Sequence, residues 1–153
     1  MERIQLLQIK DVMTNRPARI RDNADVYRAA EIVGFSRVSD LMVVDDNDNF
    51  IGVLSEGDIL HAALPDIDEI LKEGGSLDTA YNIFMNKGRN LGDLPISPLI
   101  IREPIVVDPD DHIAKATTVL LDRHIGVLPV VKNGQLVGTI SRADVCRAVV
   151  GTL

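Results

Sequence analysis

Two serine–aspartate pairs stand at matching places in the chain. Ser55 and Asp58 are three residues apart, as are Ser141 and Asp144, and each pair follows a short extended run that opens with glycine, at Gly52 and Gly138. At a strand-to-helix junction, a carboxylate so placed can accept two hydroxyl protons in charge-assisted bonds. The N–H groups of the first helical turn can take a phosphate oxygen. The plainer reading is a capping box with Asp in place of the usual Glu, which contributes about 1 kcal/mol without any ligand. The two roles are compatible, because the serine can cap the helix while the aspartate faces a ligand.

Other chemistry finds little support. The acidic stretch Asp45-Asp46-Asn47-Asp48-Asn49 supplies neither the glycine nor the glutamate that a calcium loop requires, so it reads as a solvated turn. His61, His112 and His124 lack metal-ligand spacing, with His112 and His124 twelve residues apart at opposite ends of a helix. Cys146 falls on an apolar helix position and is expected to be a buried, inert thiol. There is no Gly-rich phosphate loop and no nucleophile–base arrangement, so the chain is expected not to be an enzyme.

The elements that must hold these pairs are themselves repeated. Shifted by 86 positions, Asp22 to Leu60 lies over Asp108 to Cys146 without a gap, with ten identities in 39 positions. Each copy reads as strand, helix, strand, strand, helix. The extended pieces are Ala18 to Arg21 and Ile105 to Val107. The first helix starts at Asp22 to Asp25 in one copy and at Asp108-Pro109-Asp110-Asp111 in the other, where a capping Asp and a first-turn Pro suit a helix start. Val26, Ala30 and Val33 form its apolar face in the first copy, and Ile113, Ala116 and Leu120 in the second. The hairpins are Leu41 to Val44 with Phe50 to Leu54, and Val127 to Val131 with Gln135 to Ile140. Asn133-Gly134 suits a type I′ turn. Closing helices start at Ser55 and Ser141. Residues 8–62 are read as the first repeat, 63–94 as a helical connector and 95–151 as the second repeat. In the connector, Asp66 to Glu73 is a short helix stopped by Gly74-Gly75. Ser76 caps a second helix ending near Lys87 with Gly88 as terminator, and Leu77, Tyr81 and Phe84 share its apolar face.

Composition bounds the function. The 153 residues are 46% hydrophobic and only 3% aromatic, with no Trp, so the core is aliphatic and base-stacking platforms are nearly absent. Sixteen basic against 23 acidic residues leave a net charge of −7, which argues against nucleic acid as a partner. No run approaches the ~20 apolar residues of a membrane span. Glu2, Arg3 and Lys10 interrupt the start of the chain, so no signal peptide is expected there. With a single cysteine, the expected setting is a reducing cytoplasm.

Asp11-Val12-Met13-Thr14, Val127-Leu128-Pro129-Val130-Val131, Gly52-Val53-Leu54-Ser55-Glu56-Gly57-Asp58 and Gly138-Thr139-Ile140-Ser141-Arg142-Ala143-Asp144 together resemble a tandem pair of CBS domains, the Bateman module. The resemblance implies an α+β fold of two β-α-β-β-α repeats packed with pseudo-twofold symmetry, two equivalent clefts, and pairing into homodimers. It implies an adenosine-type ligand (AMP, ADP, ATP or S-adenosylmethionine), no required cofactor, and regulation of a protein the sequence does not name. Carried over by residue, Ser55 and Asp58 mark one cleft and Ser141 and Asp144 the other. Asp would accept from the ribose hydroxyls, and Ser would lie by the ribose or phosphate. Arg16 and Pro17, and Arg102, Pro104 and Ile105, would border the adenine.

The sequence departs from the family pattern in its first copy. Family members often carry basic residues before the second strand; here stand Ser39-Asp40 and Ile125-Gly126. The family's strand proline is Val43 in the first copy and Pro129 in the second. Asp40 would repel a phosphate, whereas Arg142, Arg123, His124 and Arg102 supply positive charge to the second copy, so the Asp144 cleft is expected to be the better one. The alternative is a non-sensing dimeric interaction scaffold with empty clefts.

Overall fold

A computed structural model of the chain describes residues 6–151, so Glu2 and Arg3, on which the signal-peptide reading drew, lie outside the described residues. The elements in order are β1 (Arg19–Arg21), α1 (Val26–Ser36), β2 (Asp40–Val44), β3 (Phe50–Ser55), α2 (Glu56–Ala63), α3 (Ile67–Lys72), α4 (Leu77–Leu91), α5 (Ile113–Asp122), β4 (Val127–Lys132), β5 (Gln135–Ser141) and α6 (Arg142–Val150). The strands form a three-stranded sheet in the order β1-β2-β3 and a two-stranded sheet of β4 and β5.

The chain divides into two compact units that do not follow the order of the repeats. One, the first-repeat unit, is Ala18–Val43 with Gly52–Arg102; the other, the second-repeat unit, takes the segment up to Pro17, Val44–Ile51 and Glu103 onward. Each unit therefore takes its leading segment from ahead of the other repeat.

In the second-repeat unit the leading segment is tied down by backbone bonds. Ile9 N donates to Asp111 O (2.8 Å), Lys10 N to Pro109 O (3.0 Å), and Thr14 exchanges bonds with Thr139 at 2.8 and 3.0 Å. Ile9 and Val12 join a core with Val107, Ala116, Leu120, Leu128, Val130, Ile140 and Val145. Lys10 and Lys132 each lie 3.0 Å from the Asp110 carboxylate, and the bonds from Lys132 and then Lys10 hold that carboxyl below its ordinary value. In the β4–β5 hairpin Val127 stands opposite Ser141 and Pro129 opposite Thr139. Asn133 and Gly134 both take positive φ (52° and 78°), as a type I′ turn requires.

In the first-repeat unit the chain returning from the connector plays the same part. Ile96 N donates to Ala24 O (3.0 Å), and Ile101 exchanges bonds with Val53 at 2.8 and 3.0 Å. Ile20, Val26, Ala29, Leu41, Met42, Leu54, Ile96 and Ile100 are buried there.

Several local expectations are corrected. Asp108 to Asp111 is a turn, and α5 begins at Ile113 with His112 at its cap. The reason is tertiary: Pro109 O is taken by Lys10 N, and Ile113 N, which would close the first helical turn, donates to Leu7 O (3.2 Å). In α1 the buried positions are Val26 and Ala29, while Ala30 is exposed. Helix α4 does not stop at Gly88 but runs to Leu91. Its Phe84 is half-buried, whereas Leu77 and Tyr81 are 86% and 62% exposed. Cys146 is exposed, not buried, because α6 buries Val145 and turns the cysteine outward. The connector otherwise follows its residues: Asp66 caps α3, Ser76 caps α4, and Gly74 and Gly75 break the chain at positive φ.

Candidate functional site

Helix α6 begins where β5 ends, and Ser141 marks the junction. Its Oγ accepts from Asp144 N (3.1 Å), and Asp144 Oδ2 accepts in return from Ser141 N (2.9 Å) and Ser141 Oγ (3.0 Å). This closed capping box fixes a half-buried carboxylate at the positive end of a helix. Oδ2 is thereby engaged. Thr14 Oγ1 lies at the long distance of 3.5 Å from both carboxylate oxygens, and among the described residues Asp144 Oδ1 has no shorter hydrogen bond, so it keeps capacity for a further hydroxyl donor.

Thr14 was not singled out as a site residue from the sequence, although the Asp11–Thr14 motif was. It reaches Asp144 because the leading segment bridges Thr139, and that approach depends on Gly138. A Cβ there would lie 2.6 Å from Thr14 O and 2.8 Å from Met13 Sδ. The usable signal was the pairing of a glycine-opened strand with an extended segment. Which segment fills that place is invisible in repeat order.

The first-repeat unit builds the same junction with different chemistry. Ser55 Oγ accepts from Asp58 N (3.1 Å) and donates to Asp58 Oδ2 (2.8 Å). The residue that bridges Val53, as Thr14 bridges Thr139, is Ile101, which brings no hydroxyl. Nearby stands Asp40, hydrogen-bonded by Ser39 Oγ at 3.2 Å. Burial raises the Asp40 carboxyl above its ordinary value against the Ser39 bond, and the charges of Glu56 and Asp58 raise it further. Ionising Asp40 therefore costs more in the folded chain than in the unfolded one. The stability tied to its protonated form is complete below the unfolded value of 3.8 and is lost as pH rises through the higher folded value. Asp40→Asn is accordingly expected to melt above wild type at pH 7 in scanning calorimetry, with the gap closing as the pH falls below about 4. Equal melting at pH 7 would contradict this.

The remaining expected site residues divide between the units. Arg16, Pro17, Pro104, Ile105, Pro129, Arg142, Ser141 and Asp144 belong to the second-repeat unit, and Ser55, Asp58 and Arg102 to the first. Arg102 is the last residue of the first-repeat unit, and its guanidinium donates to Ser97 Oγ (2.8 Å). Pro129 is buried in β4. Arg142 directs its guanidinium to Leu120 O (2.9 Å) and Ile125 O (3.2 Å), where a cation suits the C-terminus of α5. Among the described residues no group of three or more His, Cys, Asp or Glu side chains could hold a metal ion. No helix among them is long and apolar enough to cross a membrane.

Comparison with known proteins identifies the family. The chain is 30% identical over 156 residues to the chloroplastic CBS domain-containing protein CBSX2 of Arabidopsis thaliana, covering 92% of this chain and 62% of that protein. It spans 40% and 31% of two further curated relatives from Methanocaldococcus jannaschii. A crystal structure of CBSX2 in complex with AMP superposes with a TM-score of 0.71 at 26% identity, over 95% of this chain and 97% of that one. The CBS domain pair of protein MJ0100, in complex with 5-methylthioadenosine and S-adenosyl-L-methionine, shares the fold, with a TM-score of 0.66 at 18% identity over 97% of this chain and all of that one. The CBS-domain family model matches residues 9–65 and 91–151. The chain belongs to the CBS-domain family and folds as a tandem CBS pair.

Proposed function

We propose that this chain is a non-catalytic regulatory module that binds an adenosine-type nucleotide at Asp144 and modulates a partner or its own homodimeric assembly. The observation that carries the reading is the Asp144 carboxylate, held at the α6 N-terminus by Ser141 with Oδ1 open beside Thr14. That oxygen suits a ribose hydroxyl, and the first-turn N–H groups of α6 suit a phosphate. The AMP complex of a relative 26% identical supports the ligand class. AMP, ADP, ATP and S-adenosylmethionine are the ligands to try. The output follows from population shift, since a ligand moves an equilibrium only by its differential affinity for the two states. In the first-repeat unit, Ile101 and the Asp40–Glu56–Asp58 acids favour the scaffold reading, in which no phosphate is bound.

Thermal-shift titration of wild type, Asp58→Ala, Asp144→Ala and Thr14→Val tests this. At ~100 times its dissociation constant a ligand stabilises by ~2.7 kcal/mol. Asp144→Ala is expected to weaken AMP by about tenfold or more, Thr14→Val by less, and Asp58→Ala hardly at all. A flat response to every ligand, in a wild type that melts cooperatively, would overturn the sensor in favour of the scaffold.

A further inference from the structure

Within the first-repeat unit, α1, α2 and α4 enclose an apolar cavity of about 440 Å³ that the nucleotide reading does not use. Ala30, Leu60 and Phe84 contribute walls from the three helices, and Tyr27 and Arg89 bring its polar groups. Tyr27 and Leu60 are 64% and 53% exposed, so the cavity opens to solvent between them. The volume falls in the range of small-molecule sites, which are mostly apolar with a few orienting polar groups.

Two features of α4 point to an occupant. Gly88 lines the cavity from the helix interior, where glycine is the weakest helix former after proline. Its φ is not positive, and a Cβ there would find its nearest atom, Ala63 Cβ, at 4.0 Å. Neither backbone conformation nor crowding calls for glycine, and what its missing side chain preserves is open volume. The next residue, the exposed Arg89, has a side chain that makes no hydrogen bond or ion pair with another described residue. A guanidinium carried by a residue that lines an apolar cavity complements an anion with an apolar body, and its planar fork matches a carboxylate.

We propose that this cavity binds a small amphipathic carboxylate, with its apolar body against Phe84 and Gly88 and its carboxylate on Arg89. The site is independent of Asp144. The test uses decanoate and its neutral counterpart 1-decanol, below their aggregation concentrations, with the full chain. Calorimetric titration and thermal shift are run on wild type, Arg89→Gln and Gly88→Leu. Leucine at position 88 projects into the cavity and is a better helix former, so this variant should melt no lower than wild type. Wild type is expected to bind decanoate in preference to decanol by about tenfold, a preference lost in Arg89→Gln. Gly88→Leu is expected to bind neither. Decanoate binding that persists in Gly88→Leu, or none in wild type, would overturn the proposal. Sedimentation is run alongside: a dimer in wild type that dissociates in Gly88→Leu would assign the cavity to a second copy and equally overturn it.

Discussion

Gly52→Ala is expected to lower the melting temperature by roughly 6–12 °C, the equivalent of about 3 kcal/mol in a chain of this size. A Cβ at this position would fall inside the contact radius of Ile101 O and 2.8 Å from Ile100 Cγ2. Ile101 O is not free to retreat, because it accepts from Val53 N at 3.0 Å while Ile101 N donates to Val53 O at 2.8 Å. The added methyl must break that bridge or displace the buried Ile100. Gly34→Ala in the interior of α1 is the control: nothing lies within 4 Å of its Cβ, and its φ is not positive. There alanine should be neutral or stabilising by up to about 1 kcal/mol. Equal melting of the two variants would show that glycine at position 52 is not required by close approach.

Ile9→Ala has the next largest expected effect, about 3 kcal/mol, and the location of the damage is as informative as its size. Ile9 is fully buried, and its contacts are with the core built by Leu120, Leu128, Val130 and Ile140, more than a hundred residues along the chain. Truncating it leaves a cavity in the second-repeat unit. Native-state hydrogen exchange should therefore lose protection in β4 and β5 while Leu41 to Val43 keep theirs. Loss of protection in β2 instead would mean that the leading segment serves the repeat it precedes. Leu77→Ala, at a position 86% exposed, should cost almost nothing.

The Ser141–Asp144 capping box was legible because its signals are local. A serine cap and an aspartate three residues on need only one helix turn to meet, and the structure closes that box at 2.9 to 3.1 Å. The clash of Asp40 with an anion was equally plain from its residue type, whereas its burial beside Glu56 and Asp58, which makes it a weaker acid, was not. Thr14 was not legible as a partner of Asp144, because 130 residues separate them.

The same division holds for the fold. Duplication at an offset of 86, the Asn133-Gly134 turn, the Ser55, Ser76 and Ser141 caps and the aliphatic patterning are short-range facts, so the α+β repeat could be read from residue types alone. Where α5 starts, how far α4 runs, and whether Leu77, Tyr81 and Cys146 are covered depended on partners distant in the chain. Pro109 does not open a helix, because Ile113 N, which would bond back to its carbonyl, is taken by Leu7 O instead. Gly88 does not end one where α4 lies along α2, with Ala63 Cβ 4.0 Å from the place its own Cβ would occupy. Backbone groups and apolar faces take the best partner available in three dimensions, and local propensities of about 1 kcal/mol per residue yield where tertiary contacts are worth more.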